Sequence, residues 1–256
     1  MSVIAVIPAR YASTRFPGKV FASIGGKPMI QHVYERVREA RYVEEVLVAT
    51  DDERICEVVR SFGGVAVMTS PSHPSGTDRI AEAVRSLDFE WIVNIQGDEP
   101  LIDSRDIDAA ILSLLENSDV PMGTLARKIE LENEFFDPNV VKVVVDTAGF
   151  ALYFSRSPVP YNRKGWGKLS DEEILQGDRV ALPEPCFKHI GLYVYRMVAL
   201  MELSASRPTP LELSEGLEQL RALELGYKIR VVETERDPIG VYVPEDIQRV
   251  EERVKV

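Results

Sequence analysis

The chain has 256 residues, of which 45% are hydrophobic and 28% are charged, and this suits one large domain, or a domain with a lobe, around a sizeable core. The net charge of −11 argues against a nucleic-acid-binding surface, which would need basic character. The two cysteines lack metal-type spacing, which favours a reduced, cytoplasmic protein, and no apolar stretch approaches the roughly 18 residues needed to span a membrane.

The first predicted element is a buried strand, Val3–Ile7, which runs directly into a cationic loop. The loop carries three cations: Arg10, Arg15 and Lys19. Between them lie small or turn-forming residues that let the backbone approach a ligand closely: Ser13, Thr14 and Gly18. Because ligands often bind where a loop leaves a strand of an α/β sheet, this loop suits a polyphosphate. The alternative is a solvated N-terminal turn.

Strand-like and helix-like segments alternate through the first half of the chain. The predicted strands are Val3–Ile7, Val46–Ala49, Val65–Met68 and Trp91–Ile95, and an apolar helical stripe follows each of them. Repeated strand–helix–strand order predicts an α/β fold with a mainly parallel, Rossmann-like twisted sheet and helices on both faces.

The second half of the chain has a different pattern. It begins with a hairpin signal around Asp146–Gly149 and a polar loop, Ser157–Pro185. A strand at Ile190–Tyr195, one helix at Leu211–Leu225, a strand at Lys228–Val232 and a helix at Pro244–Val254 complete the prediction. We expect a single domain over residues 1–256 with a smaller mixed lobe at roughly 127–210.

Asp98 follows the fourth predicted strand, and we expect it at the same sheet edge as the cationic loop. A carboxylate beside bound phosphates is a natural Mg²⁺ ligand, because this ion takes oxygen donors and shares them with substrate phosphates. The alternative is a turn aspartate that satisfies backbone amides. Glu99 has suitable chemistry but is expected to point to another side.

A third group, Ser75–Arg79, lies between the third strand and the next helix. Its hydroxyls and amides suit a base or a ribose, and the alternative is plain capping of the helix by Thr77. His32 and His73 are interpreted as structural or exposed residues.

Taken in order, these motifs resemble the bacterial CMP-Kdo synthetases, or 3-deoxy-manno-octulosonate cytidylyltransferases. The resemblance runs from Ile4 to about Val250 through IPARYASTRFPGK, SGTDRIAEAV, VNIQGDEP, KHIGLYVYR and LEQLRALELGYKI. The first of these motifs indicates only a sugar nucleotidyltransferase, whereas the last two narrow the resemblance to the Kdo branch.

The resemblance implies a homodimeric enzyme that requires Mg²⁺. In the implied reaction, the anomeric 2-hydroxyl of 3-deoxy-D-manno-octulosonate (Kdo), an acidic 2-keto sugar, attacks the α-phosphorus of CTP. CMP-Kdo forms for lipopolysaccharide assembly, and pyrophosphate leaves. The lobe is implied to serve dimerisation and sugar binding.

The resemblance also implies roles for individual residues. Neutralisation of the triphosphate falls to Arg10, Arg15 and Lys19, with Asp98 holding the metal. Nucleotide binding falls to Ala9, Ser13, Thr14, Ser75, Gly76 and Arg79. Sugar binding falls to Gln96, Arg156, His189, Tyr193, Glu218 and Gln219. Arg156 suits the sugar carboxylate and His189 a hydroxyl, although His189 can also be read as a core histidine and Glu218 or Gln219 as solvated residues.

One position departs from the family pattern. Where the family has a second metal-binding aspartate in a VDTPEDL segment, this chain has Tyr242, and a neutral phenol is a poor Mg²⁺ ligand. Three explanations remain open: one metal held mainly by Asp98 suffices, a nearby carboxylate such as Asp237 substitutes, or the activity or the sugar has changed. The last includes a related acceptor such as 8-amino-Kdo, or an impaired nucleotide-binding regulator.

Overall fold

A computed structural model describes residues 2–12, 16–117, 119–166, 181–241 and 243–254. The chain forms two compact units. The first comprises Met1–Glu116, Gly191–Ser206 and Pro238–Val256, and the second Asn117–Ile190 and Arg207–Asp237. The second unit therefore begins ten residues before the lobe expected at 127–210, omits residues 191–206 and continues to residue 237.

The elements alternate as the sequence pattern predicts. The strands are β1 (Val3–Ala9), β2 (Ser23–Ile24), β3 (Lys27–Pro28), β4 (Glu45–Thr50), β5 (Ala66–Met68), β6 (Trp91–Asn94), β7 (Met122–Lys128), β8 (Lys142–Val145), β9 (Ala151–Ser155), β10 (Phe187–Arg196) and β11 (Ile229–Glu233). The helices are α1 (Met29–Arg38), α2 (Glu53–Ser61), α3 (Gly76–Val84), α4 (Ser104–Leu115), α5 (Glu132–Phe136), α6 (Arg163–Trp166), α7 (Met197–Ala205), α8 (Pro210–Glu215), α9 (Gln219–Glu224) and α10 (Asp246–Val254). A 3-10 turn spans Lys19–Phe21.

The sheet of the first unit has β1 at its centre. β1 pairs in parallel with β4 on one side and β6 on the other, and β4 pairs in parallel with β5. The C-terminal part of β10 runs antiparallel to β6, with Tyr193 opposite Asn94. Helix α1 packs on α4, and α3 packs on α7. The predicted fold class, a mainly parallel sheet with helices packed on it, is confirmed.

Local sequence explains where these elements begin. Helix α2 starts after Asp52 and α4 after Asp103, because each of these side chains accepts a hydrogen bond from the backbone amide two residues on. β1 is buried along almost its whole length, as its apolar sequence requires.

The C-terminal segment packs beside the cationic loop. Ile24, Met29, Val241 and Val250 form a buried cluster, and Phe16 and Leu101 pack against it. The Val241 amide donates to the Asp98 carbonyl at 2.8 Å. The first unit therefore holds the chain that precedes position 242 against the turn that follows β6.

The strands of the second unit pair in both directions. β7 and β11 pair in parallel, while β8 and β9 form the predicted hairpin, with Gly149 at a φ of 83° in its turn. Ile129, Phe135, Trp166 and Cys186 form its buried apolar cluster. The sequence analysis did not predict β7.

The single helix predicted at Leu211–Leu225 is wrong. The chain forms α8 and α9 instead, because Gly216 ends α8 in the left-handed conformation at a φ of 63°. Helix α7 was not predicted either. None of the helices among the described residues combines the length and apolar character that a membrane crossing requires.

Candidate active site

The candidate site lies where β1 and β6 end side by side in the first unit. Val6 pairs with Asn94, and the Ile95 amide donates to the Val6 carbonyl at 3.2 Å, so both chains leave the sheet at the same edge. A Cβ atom on Gly97 would lie 3.3 Å from the Pro8 carbonyl oxygen, which is tight for a side chain. Glycine therefore favours this close approach of the two loops.

Lys19 and Asp98 meet at this edge. The Lys19 ammonium donates a hydrogen bond to Asp98 Oδ2, and the two side chains are only 19% and 17% exposed. The contact joins the cationic loop to the turn after β6, as expected from their places in the chain. An ammonium has three donors, so Lys19 can hold Asp98 and still donate to an incoming anion.

An open cavity of about 140 Å³ lies where the chain leaves β1 and β6, with Pro8 and Gln96 in its wall. Four predicted nucleotide-binding residues line it: Ala9, Ser75, Gly76 and Arg79. Arg10, predicted to be catalytic, and Gln96, predicted to bind the sugar, also line it, and the remaining lining residues are Pro8, His73 and Pro74. Arg10 is exposed, and no carboxylate among the described residues pairs with it. The cavity therefore offers a cationic wall, and its volume is several times what one water molecule needs.

His73, which the sequence indicates to be structural or exposed, also lines the cavity, and its ring contacts the Glu82 carboxylate. His73 stands three residues before the start of α3, and its place at the cavity depends on the packing of that helix start beside Pro8.

Helix α3 begins at the cavity. Ser75, not Thr77, caps it: Ser75 Oγ accepts from the Asp78 amide at 3.1 Å. The alternative that Thr77 caps this helix is therefore wrong, because Ser75 provides the cap. Gly76 lies against Pro8, with a Cβ position 3.5 Å from the proline ring, so the helix start is close to the end of β1.

Arg79 is anchored inside the first unit. It is 4% exposed, donates to Thr69 Oγ1 at 2.6 Å and pairs with Asp51 Oδ2 at 2.9 Å. These partners fix the direction of the guanidinium at the wall of the cavity.

Glu99 is buried next to Asp98, and its Oε2 atom has no hydrogen-bond partner among the described residues. Burial, assisted by the neighbouring Asp98 charge, raises the pKa of Glu99 to about 8. Glu99 is therefore largely protonated at neutral pH, unlike an ordinary metal-binding carboxylate.

Two predicted sugar residues belong to the first unit. The Gln96 side chain donates to Asn94 Oδ1 at 3.1 Å, and Tyr193 lies opposite Asn94 in the sheet with its ring stacked on that of Tyr195, 5.8 Å between centroids. Asn94 thus links the two positions.

Arg156, in the second unit, is engaged by the backbone. Its guanidinium donates to the carbonyls of Glu215 at 2.7 Å, Pro138 at 3.0 Å and Gly216 at 3.4 Å, and its own amide donates to Glu215 Oε2 at 2.9 Å. The residue predicted to bind a carboxylate therefore also holds the end of α8.

His189, also in the second unit, lies between Thr124 and Phe154. Its Nε2 is 2.9 Å from Thr124 Oγ1, and its ring meets Phe154 edge-on with 5.1 Å between centroids. Burial lowers the pKa of His189 to about 3, so the ring is neutral near pH 7.

Glu218 and Gln219 stand at the start of α9. Gln219 is 6% exposed, so the alternative of a solvated residue is wrong for it. Glu218 is half-buried and lies 3.9 Å from Arg221, which forms a buried ion pair with Glu212.

Some predicted residues lie outside the described part of the chain: Ser13, Thr14, Arg15 and Tyr242. Asp237, the suggested substitute for the missing aspartate, is held by two cations of the second unit, Arg127 at 3.1 Å and Lys188 at 2.8 Å. Within the described ranges, no group of three or more histidine, cysteine or acidic side chains is arranged to hold a metal ion.

Comparison with known proteins identifies the family of this chain. Residues 4–229 match the family model described as Cytidylyltransferase. The chain is 56% identical to a 3-deoxy-manno-octulosonate cytidylyltransferase of Geobacter sulfurreducens, with both chains fully covered. It is 57% identical to one of Geotalea daltonii, with 100% of this chain and 99% of the relative covered.

Comparison with solved structures supports the same family. The structure of a CMP:2-keto-3-deoxy-manno-octonic acid synthetase in complex with CTP superposes with a TM-score of 0.89 at 40% identity, covering 100% of this chain and 99% of the other. A 4-diphosphocytidyl-2C-methyl-D-erythritol synthase of Anaerococcus prevotii shares the fold, with a TM-score of 0.63 at 14% identity. The chain belongs to the cytidylyltransferases, and within them to the 3-deoxy-manno-octulosonate cytidylyltransferase family.

Proposed function

We propose that this chain transfers CMP from CTP to the anomeric 2-hydroxyl of Kdo and releases pyrophosphate, supplying CMP-Kdo for lipopolysaccharide biosynthesis. The observation that carries the proposal is the Lys19–Asp98 contact at the same sheet edge as the cavity lined by Arg10 and the start of α3. Membership of the 3-deoxy-manno-octulosonate cytidylyltransferase family supports the choice of both substrates.

The cations act on the triphosphate. Arg10 faces the cavity without a carboxylate partner among the described residues, and Lys19 keeps donors free while it contacts Asp98. Positive charge that is fixed before the reaction stabilises the transition state more than the ground state, because negative charge concentrates on the transferring group. Arg15 is predicted to add a third charge.

The remainder of the cavity suits the nucleoside. Ser75 fixes the start of α3, which lies close to Pro8 in β1, and Arg79 is held by Asp51 and Thr69. Rigid polar groups favour orientation of the bound nucleotide, and orientation contributes much of the rate in a transfer between two bound substrates.

Mg²⁺ dependence is part of the proposal. Asp98 supplies the carboxylate oxygen that Mg²⁺ prefers, and such ions are usually held by one or two carboxylates together with substrate phosphates, so the residues present fit a shared ion. When bound, Mg²⁺ would polarise the α-phosphate and favour loss of the sugar hydroxyl proton.

The family resemblance assigns the acidic sugar to six residues: Gln96, Arg156, His189, Tyr193, Glu218 and Gln219. All six stay predictions. The family resemblance also supports a homodimer and a cytoplasmic location, which stay predictions as well.

The direct test is pyrophosphate release by the purified protein with CTP, Kdo and Mg²⁺. We expect turnover that depends on all three components. A folded protein that releases no pyrophosphate contradicts the proposal. A panel of 2-keto sugar acids that includes 8-amino-Kdo decides the acceptor.

Tyr242 favours a second candidate, a nucleotide-binding regulator without turnover. This candidate predicts that CTP binds while no pyrophosphate forms. The variant Tyr242→Asp separates the explanations: a large gain in turnover indicates a crippled second metal position, whereas no gain in an active enzyme indicates that Asp98 suffices or another residue substitutes. Because Arg127 and Lys188 engage Asp237, we expect Asp237→Asn to leave the Mg²⁺ requirement unchanged.

A further inference from the structure

Tyr11 closes the cationic loop at its base. The Gly18 amide donates to the Tyr11 carbonyl at 2.9 Å, which joins the two ends of the loop. Gly18 has a φ of 68°, and a Cβ atom there would lie only 2.9 Å from Tyr11 Cε2. The tyrosine ring therefore covers Gly18, and we call Tyr11 and Gly18 the loop neck.

Arg54 covers the other part of the ring. Its guanidinium carbon lies 3.9 Å from the centre of the Tyr11 ring, well inside the range of a cation–π contact. Arg54 is the second residue of α2, and none of the proposed catalytic or binding roles involves it.

Arg54 is itself held firmly. Its Nε donates to Asp52 Oδ1 at 2.9 Å and its second nitrogen donates to Oδ2 at 2.5 Å. Asp52 also accepts the Arg54 amide at 3.0 Å as the cap of α2. A planar guanidinium held at two points has little freedom, so the surface that it presents to Tyr11 is fixed by the start of α2.

The loop neck determines where two catalytic cations leave the backbone. Arg10 immediately precedes Tyr11, and Lys19 immediately follows Gly18. When the loop neck is held in place, the backbone of Arg10 and Lys19 is therefore held at the sheet edge before any ligand binds.

We infer that Arg54 is a positioning residue, which holds the loop neck in place by fixing Tyr11 against the start of α2. The identity of the anion that benefits, the CTP triphosphate, rests on the proposed function. Without Arg54 the loop neck becomes fixed only when the nucleotide binds, which weakens binding. Once CTP is bound the neck is fixed in either case, so the chemical step is unaffected.

Steady-state kinetics test the inference through the split between KM and kcat. We expect Arg54→Ala to raise KM for CTP about two- to fivefold with kcat unchanged, as an exposed cation–π contact implies. Tyr11→Leu should have the same effect, the double variant should add little, and Tyr11→Phe, which keeps the ring, should behave as wild type.

Arg60→Ala is the matched control. Arg60 lies on the same helix, is similarly exposed and pairs with Glu53, yet it has no contact with Tyr11. We expect wild-type constants for this variant. An equal rise of KM in Arg60→Ala would overturn the inference, because it would report a general effect of charge on α2.

Hydrogen exchange of the Gly18 amide in the ligand-free protein gives a second readout that does not depend on CTP. Arg54→Ala should accelerate this exchange, while Arg60→Ala should not. Unchanged exchange in Arg54→Ala overturns the inference. If the wild-type protein fails to bind CTP, the proposed function fails, and the exchange rates still decide whether Arg54 fixes the neck.

Discussion

Two arginines predicted to bind anions have different surroundings. Arg10, in the first unit, is exposed at the wall of a cavity. Arg156, in the second unit, donates to three backbone carbonyls. The comparison teaches that a cation in the right motif is not always free for a ligand. Arg10 can contact a phosphate without losing a carboxylate partner among the described residues, whereas Arg156 already stabilises its own unit.

The neutral groups differ in their surroundings. Ser75 and Gln96 line the cavity of the first unit, where Ser75 hydrogen-bonds Asp78 and Gln96 hydrogen-bonds Asn94. His189 in the second unit is enclosed by Thr124 and Phe154 and carries no charge at neutral pH. The first unit therefore presents charge to a ligand, and the second presents neutral or already engaged groups.

The largest effect is expected at Asp98. Asp98→Asn keeps the size of the side chain but removes the charge that faces Lys19 and would hold Mg²⁺. We expect pyrophosphate release at saturating CTP to fall by about a hundred- to a thousandfold, as for loss of one preorganised electrostatic contact, with little change in stability.

Asp88→Asn provides the control, because Asp88 is exposed and precedes β6, at the opposite end of that strand from Asp98. It should retain wild-type turnover. If Asp98→Asn kept more than a tenth of the activity, the sheet edge of the first unit would not be where charge matters, and the comparison between the units would break.

The sequence predicts the parts of the molecule that depend on local pattern. Buried strands followed by turns are visible in the chain, so the parallel sheet and the shared edge of Lys19 and Asp98 were predictable. The division of α8 from α9 was missed, because apolar residues continue across Gly216 while its left-handed conformation is not visible in periodicity.

Partners that are distant in the chain could not be predicted. The carbonyls that Arg156 binds belong to Pro138, Glu215 and Gly216, which only the folded second unit brings together. His73 reaches the cavity because α3 starts beside Pro8, a packing relation that its own sequence context does not contain.

A smaller effect is expected at Arg156, and it has two parts, one on stability and one on sugar binding. Arg156→Lys keeps the charge but replaces a fork of donors with one ammonium, which cannot reach all three carbonyls. We expect the free energy of unfolding to fall by about 1–2 kcal/mol and KM for Kdo to rise about tenfold, with KM for CTP unchanged. Urea unfolding and initial rates measure these quantities.

Glu215→Gln separates the two roles of Arg156. It replaces the carboxylate, which accepts hydrogen bonds from Ser155 Oγ and the Arg156 amide, with a neutral amide. The Arg156 guanidinium and the carbonyls that it binds stay in place. We expect lower stability without a change in KM for Kdo. If Arg156→Lys, like Glu215→Gln, lowered stability without changing KM for Kdo, Arg156 would have a structural role only. The contrast with Arg10 would then be complete.

The last effect concerns the pH dependence of stability through His189. Burial lowers its pKa from 6.5 to about 3, so between these values the unfolded chain binds a proton that the folded chain does not. Stability is therefore fully present above pH 6.5 and is lost as the pH falls below it, at up to about 1.4 kcal/mol per pH unit.

The variant His189→Gln removes this titrating group, whereas all other titrating groups are the same in the variant and in the wild type. Urea unfolding at pH 7, 6 and 5 should therefore show that the wild type loses up to about 2 kcal/mol more than the variant between pH 6.5 and 5. Equal losses would mean that the folded second unit accepts a protonated His189. This residue could then meet the acidic sugar as a cation, as Arg10 is placed to meet a phosphate, and the contrast in charge between the two units would no longer hold.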